Sequence, residues 1–226
     1  MFAQTVTVPF VGCPARGQSG WQAPKGADEV VRLDSGVARK LAYYQAAYGS
    51  GVLAPRGWHC FGIDGSDGIF LFVSPLPIKG DDLFGQNWAG LAGSAVQVDN
   101  IDGSTSGRFE VAEVIARVFP ARRSFVQNVI DLFDQPASRY EYGPYPKDKL
   151  IRQTDRLVEY QTPPRSEGLG TVYRLKPNDD PVDGVAILKG ETPDLLMLRV
   201  RLPREQRELA PVIIQELLVR QSGDAR

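Results

Sequence analysis

The sequence predicts an α+β fold, a mixed and largely antiparallel sheet with three to four helices packed against it. Three observations predict this. First, Trp58-His59-Cys60-Phe61-Gly62-Ile63 and Ile69-Phe70-Leu71-Phe72-Val73 flank the turn Asp64-Gly65-Ser66-Asp67-Gly68, the pattern of a β-hairpin. Second, residues 107–119 and 121–133 repeat apolar residues at helical spacing, separated by Pro120. Third, strand-like runs at 156–160, 171–175, 185–188 and 195–202 crowd the last third of the chain. Nothing resembling a flexible linker divides the chain. A single globular domain over 1–226 is expected, with 161–170 as the best candidate hinge.

Residues 4–11 alternate apolar and polar up to Pro9 and suggest a short edge strand. Residues 12–28, rich in Gly, Pro, Gln and Ala, read as an irregular loop. A helix is expected from Ser35 as N-cap, running through Val37, Leu41, Tyr44 and on towards Tyr48. The second hairpin strand is apolar throughout, which places it centrally with both faces covered. Residues 79–93 read as a loop or short helix around Trp88, and 94–101 as a strand. In the helix over 107–119, Phe109, Ala112, Ile115 and Phe119 share a face, with Glu110 and Glu113 near its start. The next helix turns Phe125, Val126, Val129, Ile130 and Phe133 inward. Residues 135–149 form a long loop holding three tyrosines, and a closing helix runs over 204–221 with a kink at Pro211.

Charge excludes one class of partner. With 26 basic and 27 acidic residues the net charge is −1, so the basic footprint that nucleic-acid binding draws on is missing. No stretch approaches the roughly 18 apolar residues that a membrane-spanning helix needs.

The amino terminus and the cysteines point outside the cytoplasm. Met1-Phe2-Ala3-Gln4-Thr5 reads as the remnant of an Ala-x-Ala signal-peptidase site, with Gln4 as the first mature residue. Lipidation at Cys13 is disfavoured by Phe10 three positions upstream. Two cysteines in an exported chain most economically form one bridge, Cys13–Cys60, in a periplasmic or secreted protein. Closing a loop of that length contributes about 4 kcal/mol at most in the chain-entropy account. The alternative is two free, buried thiols in a cytosolic protein.

Catalytic motifs are weak. The single histidine, His59, adjoins Cys60, and neighbours on a strand point to opposite faces, so they cannot act as base and nucleophile. Gly103-Ser104-Thr105-Ser106-Gly107 carries threonine where a nucleophile elbow has serine, and reads as the turn before a helix. Asn100, Asp102 and Gly103 imitate part of a calcium loop whose first and last ligand positions are Val98 and Phe109, so no metal or other cofactor is expected. The acids on offer for carboxylate chemistry are Asp64, Asp67, Glu110, Glu113, Asp179 and Asp180. Trp21, Trp88, Tyr140, Tyr142 and Tyr145 lie in Pro- and Gly-rich segments, where rigid aromatics either anchor a partner or plug the ends of the core.

Val11-Gly12-Cys13-Pro14-Ala15-Arg16-Gly17-Gln18 and Gly57-Trp58-His59-Cys60 resemble a family of uncharacterised exported bacterial proteins with a Gly-Cys-Pro-x-x-Gly-Gln motif. Residues 107–111 and 143–146 extend the resemblance over most of the chain, although Arg16 stands where that pattern has Asp. The resemblance implies export and the disulfide, and no activity. The expectation is therefore a non-enzymatic periplasmic or secreted binding or accessory protein, of inhibitor or immunity type, whose partner is a protein or an envelope component. The alternative is a cell-envelope hydrolase using carboxylates such as Asp64 or Asp67 together with His59.

Overall fold

The computed structural model describes residues 4–17, 23–78 and 90–223. In chain order the amino-terminal part holds β1 (Gln4–Val8), β2 (Phe10–Gly12), β3 (Ala15–Gly17), β4 (Glu29–Leu33), the short α1 (Ser35–Ala38), β5 (Leu41–Gln45) and β6 (Val52–Pro55). The hairpin β7 (His59–Asp64) and β8 (Gly68–Ser74) follows, then β9 (Ala95–Ile101), α2 (Arg108–Val118) and α3 (Arg123–Phe133). The carboxy-terminal part supplies β10 (Lys149–Gln153), β11 (Leu157–Thr162), β12 (Val182–Lys189), β13 (Asp194–Arg201) and α4 (Ala210–Gly223).

An eight-stranded sheet in the order β10-β11-β12-β13-β9-β8-β7-β3 forms the spine, antiparallel at every pair except the parallel β3–β7 edge. A three-stranded sheet β2-β5-β6 and the pair β1–β4 stand beside it. Both faces of the large sheet are covered, which is why β8 from Ile69 to Val73 and β13 from Leu195 to Leu198 are apolar without alternation. On one face Leu71, Val73, Val96, Val98, Leu198 and Val200 pack with the small sheet and with Ile213 and Leu217 of α4. On the other face Phe61, Phe70, Phe72 and Met197 pack under Val111, Val114, Ile115 and Val118 of α2 and Val126 and Val129 of α3.

The disulfide sits where the chain changes sheets. β2 pairs with β5 in the small sheet, and three residues later β3 pairs with β7 in the large one. Between them the Cys13 N–H donates to the Gln45 carbonyl at 2.8 Å, and the Gly62 N–H donates to the Pro14 carbonyl at 2.8 Å. Cys13 is fully buried and bridges to Cys60 with 5.3 Å between Cα atoms, inside the span a disulfide tolerates. The motif glycines are sterically required. A Cβ on Gly12 would lie 1.9 Å from the Pro24 carbonyl oxygen, and one on Gly17 would lie 1.9 Å from that of Asp64.

Several local expectations are corrected. Asp34, not Ser35, caps α1, its carboxylate accepting from the N–H groups of Gly36 and Val37. That helix ends at Ala38, and Leu41-Ala42-Tyr43-Tyr44 form a strand buried on both faces. Tyrosine's strand preference and two flanking partner strands override the apparent helical stripe. The loop expected over 12–28 contains β3, and the loop expected up to 149 gives way to β10 at Lys149. Residues 171–175 make no strand, contributing a single bridge from Leu175 to Leu91. Pro211 stands in the first turn of α4, after the 3₁₀ turn Arg204–Leu209, so it starts that helix rather than kinking it. Phe133 is 39% exposed at the end of α3 instead of facing inward.

Candidate functional site

Helix α2 places Glu110, Glu113, Val114 and Arg117 on one side, at spacings of three, four and seven residues. Two irregular segments close over that side. One holds Arg139, Glu141 and Tyr145; the other holds Leu169, Val172 and Tyr173. Between them and α2 lies a small cleft of about 70 Å³.

The second segment is firmly tied down. Asp148 accepts from the Thr162 hydroxyl at 2.6 Å and from the Leu169 N–H at 2.8 Å, and the Gly170 N–H donates to Thr162 Oγ1 at 2.9 Å. Burial raises the Asp148 carboxyl above its ordinary range, an effect these hydrogen bonds partly offset. From below, Arg199 Nε donates to the Leu169 carbonyl at 3.2 Å. The strap then turns through Tyr173, whose φ of 72° lies in the left-handed region that bulky residues rarely adopt. That turn brings its hydroxyl to donate to Glu113 Oε2.

The charges in the cleft are paired. Arg139 Nε donates to Glu113 Oε1 at 2.7 Å, so both oxygens of Glu113 are engaged. Arg117 Nη2 donates to Glu141 Oε2 at 2.6 Å while its guanidinium lies 4.0 Å from the Tyr145 ring centre. Behind Tyr173, Glu110 Oε1 is buried with no hydrogen-bond partner. Burial first, and then the Asp99 carboxylate, push the Glu110 carboxyl up to about 8, against the opposing pull of Arg199 and Arg174. Burial, the Glu110 carboxylate and the bond to Glu113 likewise drive the Tyr173 hydroxyl far above its ordinary value. Tyr140 Oη is also buried without a partner.

Arginine–aromatic stacks continue from the cleft along α2 and α3. Arg108 lies 4.2 Å from the Phe133 ring centre, Arg123 4.9 Å from that of Tyr142, and Arg139 5.2 Å from that of Phe109. Tyr142 is 49% exposed and Tyr145 half-buried, whereas Tyr140 is 3% exposed and belongs to the core. Trp21 and Trp88 lie outside the described residues.

The other sequence candidates are dispersed. His59 is exposed at the start of β7 and Asp64 ends the same strand, five positions away. Five positions of extended chain separate them by about 16 Å, too far for joint chemistry. Asp67 is nearer the cleft, 3.8 Å from Arg174 and close enough to act on Glu110. Asp64 instead borders a wider depression with Asn100, Asp102, Lys189 and Asp194. Two of its acids are engaged in turns: Asp102 Oδ1 accepts from the Ser104 N–H at 2.7 Å, and Asp194 Oδ1 from the Gly103 N–H at 3.0 Å. Among the described residues no three His, Cys, Asp or Glu side chains converge as a metal site.

Sequence reasoning noted Glu110 and Glu113 near a helix start and among the acids on offer for carboxylate chemistry, and missed Arg117, Arg139 and Tyr173. One signal was present: Glu110 lies one turn before Val114 and beside Val111, inside the buried arc of α2. No protein-family model, no curated protein and no solved structure matches this chain.

Proposed function

We propose that this chain is a non-enzymatic periplasmic or secreted binding protein that engages a protein or envelope component. The recognition face is the one built by α2, α3, the 136–145 loop and the 166–174 strap. The observation that carries this reading is the set of arginines held over Phe109, Phe133, Tyr142 and Tyr145 on that face. Arginine and tyrosine fixed in this way lose little side-chain entropy on contact and are the residue types that dominate binding energy at interfaces. The buried disulfide supports an oxidising compartment, because thiols in the cytosol are kept reduced.

A carboxylate hydrolase is the weaker reading. Glu110 has the character of a proton donor, but Glu113, the acid one turn along, has both oxygens held by Arg139 and Tyr173. His59, at the start of β7, is not among the residues that line the cleft. The test is crosslinking of the purified chain in envelope extract, beside an Arg123→Glu/Tyr142→Ala double variant. One dominant partner captured by the wild type and lost from the variant supports the proposal. Equal capture by both, or no capture, overturns it.

A further inference from the structure

The outward side of α3 carries two rows of residues spaced four apart, Arg123–Gln127–Asp131 and Ser124–Asn128–Leu132, and all six are exposed. The first row is its own complement when reversed. A cation stands at one end, an anion at the other, and between them an amide that both donates and accepts. We infer that this side of α3 binds a second copy of the same chain, the two helices lying antiparallel about a two-fold axis level with Gln127. Arg123 of each copy then faces Asp131 of the other, and the two Gln127 amides meet at the axis. The contact is isologous, so it closes at two chains.

The charges on α3 work against the helix when it stands alone. Its first turn holds no acid and its last turn no base; Arg122 and Arg123 open it, and Asp131 and Asp134 close it. Each charge has the sign that the macrodipole disfavours at that end. An antiparallel neighbour reverses the effect, because each end then lies beside the opposite end of the other helix. Within one chain the row is left unpaired. Among the described residues Arg123 has no carboxylate partner and lies only over the Tyr142 ring, while Asp131 accepts from Gln127 Nε2 at 2.8 Å and meets no cation. In the second row Leu132 is 76% exposed, more than any other large apolar side chain among the described residues. The antiparallel arrangement brings it level with Ala121 and Ser124 of the other copy, whose short side chains leave room for it. A single helix face of this polarity buries little area, so the association is weak and sensitive to salt.

The test is sedimentation equilibrium of the full chain over a range of concentrations, at low and at high salt. The expected result is a reversible monomer–dimer equilibrium that weakens as salt rises. Arg123→Asp and Asp131→Arg each turn both cross-helix ion pairs into like-charge contacts, and each should raise the dissociation constant about tenfold. An equimolar mixture of these two variants sets aspartate against arginine at both contacts and should associate, although neither variant does so alone. Neither change threatens the fold, because each places at its end of α3 the sign that the macrodipole favours. Melting temperatures at or above wild type confirm this. A chain that stays monomeric at every concentration overturns the inference. So do single variants that dimerise as well as wild type, and a mixture that associates no better than its components. Asp131→Arg leaves every arginine–aromatic stack in place, so the dimer can fail while capture of an envelope partner persists, and the two readings fall separately.

Discussion

Arg199 of β13 and Asp99 of β9 form an ion pair in which both side chains are fully buried. In the β13–β9 register Arg199 stands opposite Gln97, so its guanidinium reaches diagonally to the Asp99 carboxylate. Gln97 Nε2 completes that carboxylate's shell with donations of 2.7 and 2.9 Å to its two oxygens. The pair is neutral as a unit, and Glu110 on α2 lies within reach of its field. An ionised Glu110 would add an uncompensated negative charge to a region where Arg199 already belongs to Asp99 and Arg174 is shared with Asp67. Burial and the Asp99 carboxylate of the sheet together favour the protonated form of the Glu110 carboxyl on the helix above it.

That arrangement makes stability depend on pH. Glu110 faces Asp99 and Arg199 from the sheet, Asp67 from the β7–β8 turn, and Tyr173 and Arg174 from the strap. Its carboxyl rises from an ordinary 4.5 to about 8 on folding. Between those values the native state holds a proton that the unfolded chain has released, so stability falls as pH rises. The contribution is fully present below about 4.5 and is lost by the time pH passes about 8. The slope from this one group is at most about 1.4 kcal/mol per pH unit. Glu110→Gln keeps the neutral shape and should flatten the melting-temperature profile between pH 6 and pH 8. A variant whose profile parallels the wild type would show that Glu110 is already ionised at pH 6.

The Arg199–Asp99 pair yields a second prediction. Asp99→Ala leaves a buried guanidinium without its counter-charge, which should destabilise the chain by about 3–5 kcal/mol. Replacing both residues, as Asp99→Leu/Arg199→Met, removes the stranded charge and should recover most of that loss. Urea unfolding of the single and double variants measures the coupling. Additive losses would mean that the pair contributes nothing as a pair.

How far the sequence discloses this molecule depends on the range of the forces involved. The β7–β8 hairpin was legible because an Asp-Gly turn and its flanking strands are a local matter, and α2 and α3 because their apolar stripes run unbroken for three turns. The 41–45 segment misled because an apolar stripe such as Leu41, Tyr44 and Tyr48 fits a helix, and only pairing with β2 and β6 makes it a strand. The cleft was less legible still. Arg139 and Tyr173 meet at Glu113 from positions 26 and 60 residues away, and no local pattern encodes that meeting. Glu110 illustrates the same limit, since its missing hydrogen-bond partner is a property of packing. The disulfide was legible for a simpler reason: if two cysteines pair within one chain, only one pairing is open to them.

Removing that bridge should weaken the junction between the two sheets. Cys13→Ala/Cys60→Ala frees a loop spanning 47 residues in the unfolded chain, for which the chain-entropy account gives about 4 kcal/mol. Cys13 is fully buried, so the cavity left by its sulfur adds to the loss. Guanidinium unfolding should shift to lower denaturant with a larger m-value, because the unfolded state becomes more expanded. Alkylation of the unreduced, denatured wild type should add no mass. Two adducts would disprove the bridge.

The end of α3 offers a stabilising change. Asp134 stops the helix with φ 48° and ψ 44°, the left-handed geometry, and its N–H and that of Gln135 both turn back to the Ile130 carbonyl. Glycine adopts this geometry without strain. A carboxylate also stands unfavourably at the negative end of the helix dipole. Asp134→Gly should therefore raise stability by about 0.5–1 kcal/mol, after allowing for the greater freedom of glycine in the unfolded chain. In a chain of this size that corresponds to roughly 1–4 °C in melting temperature. Asp134→Asn removes the charge but keeps a side chain suited to the left-handed region, and should give a smaller gain that salt reduces. Two variants of equal stability would assign the whole effect to charge. A glycine variant less stable than wild type would mean that the Asp134 side chain holds the cap together.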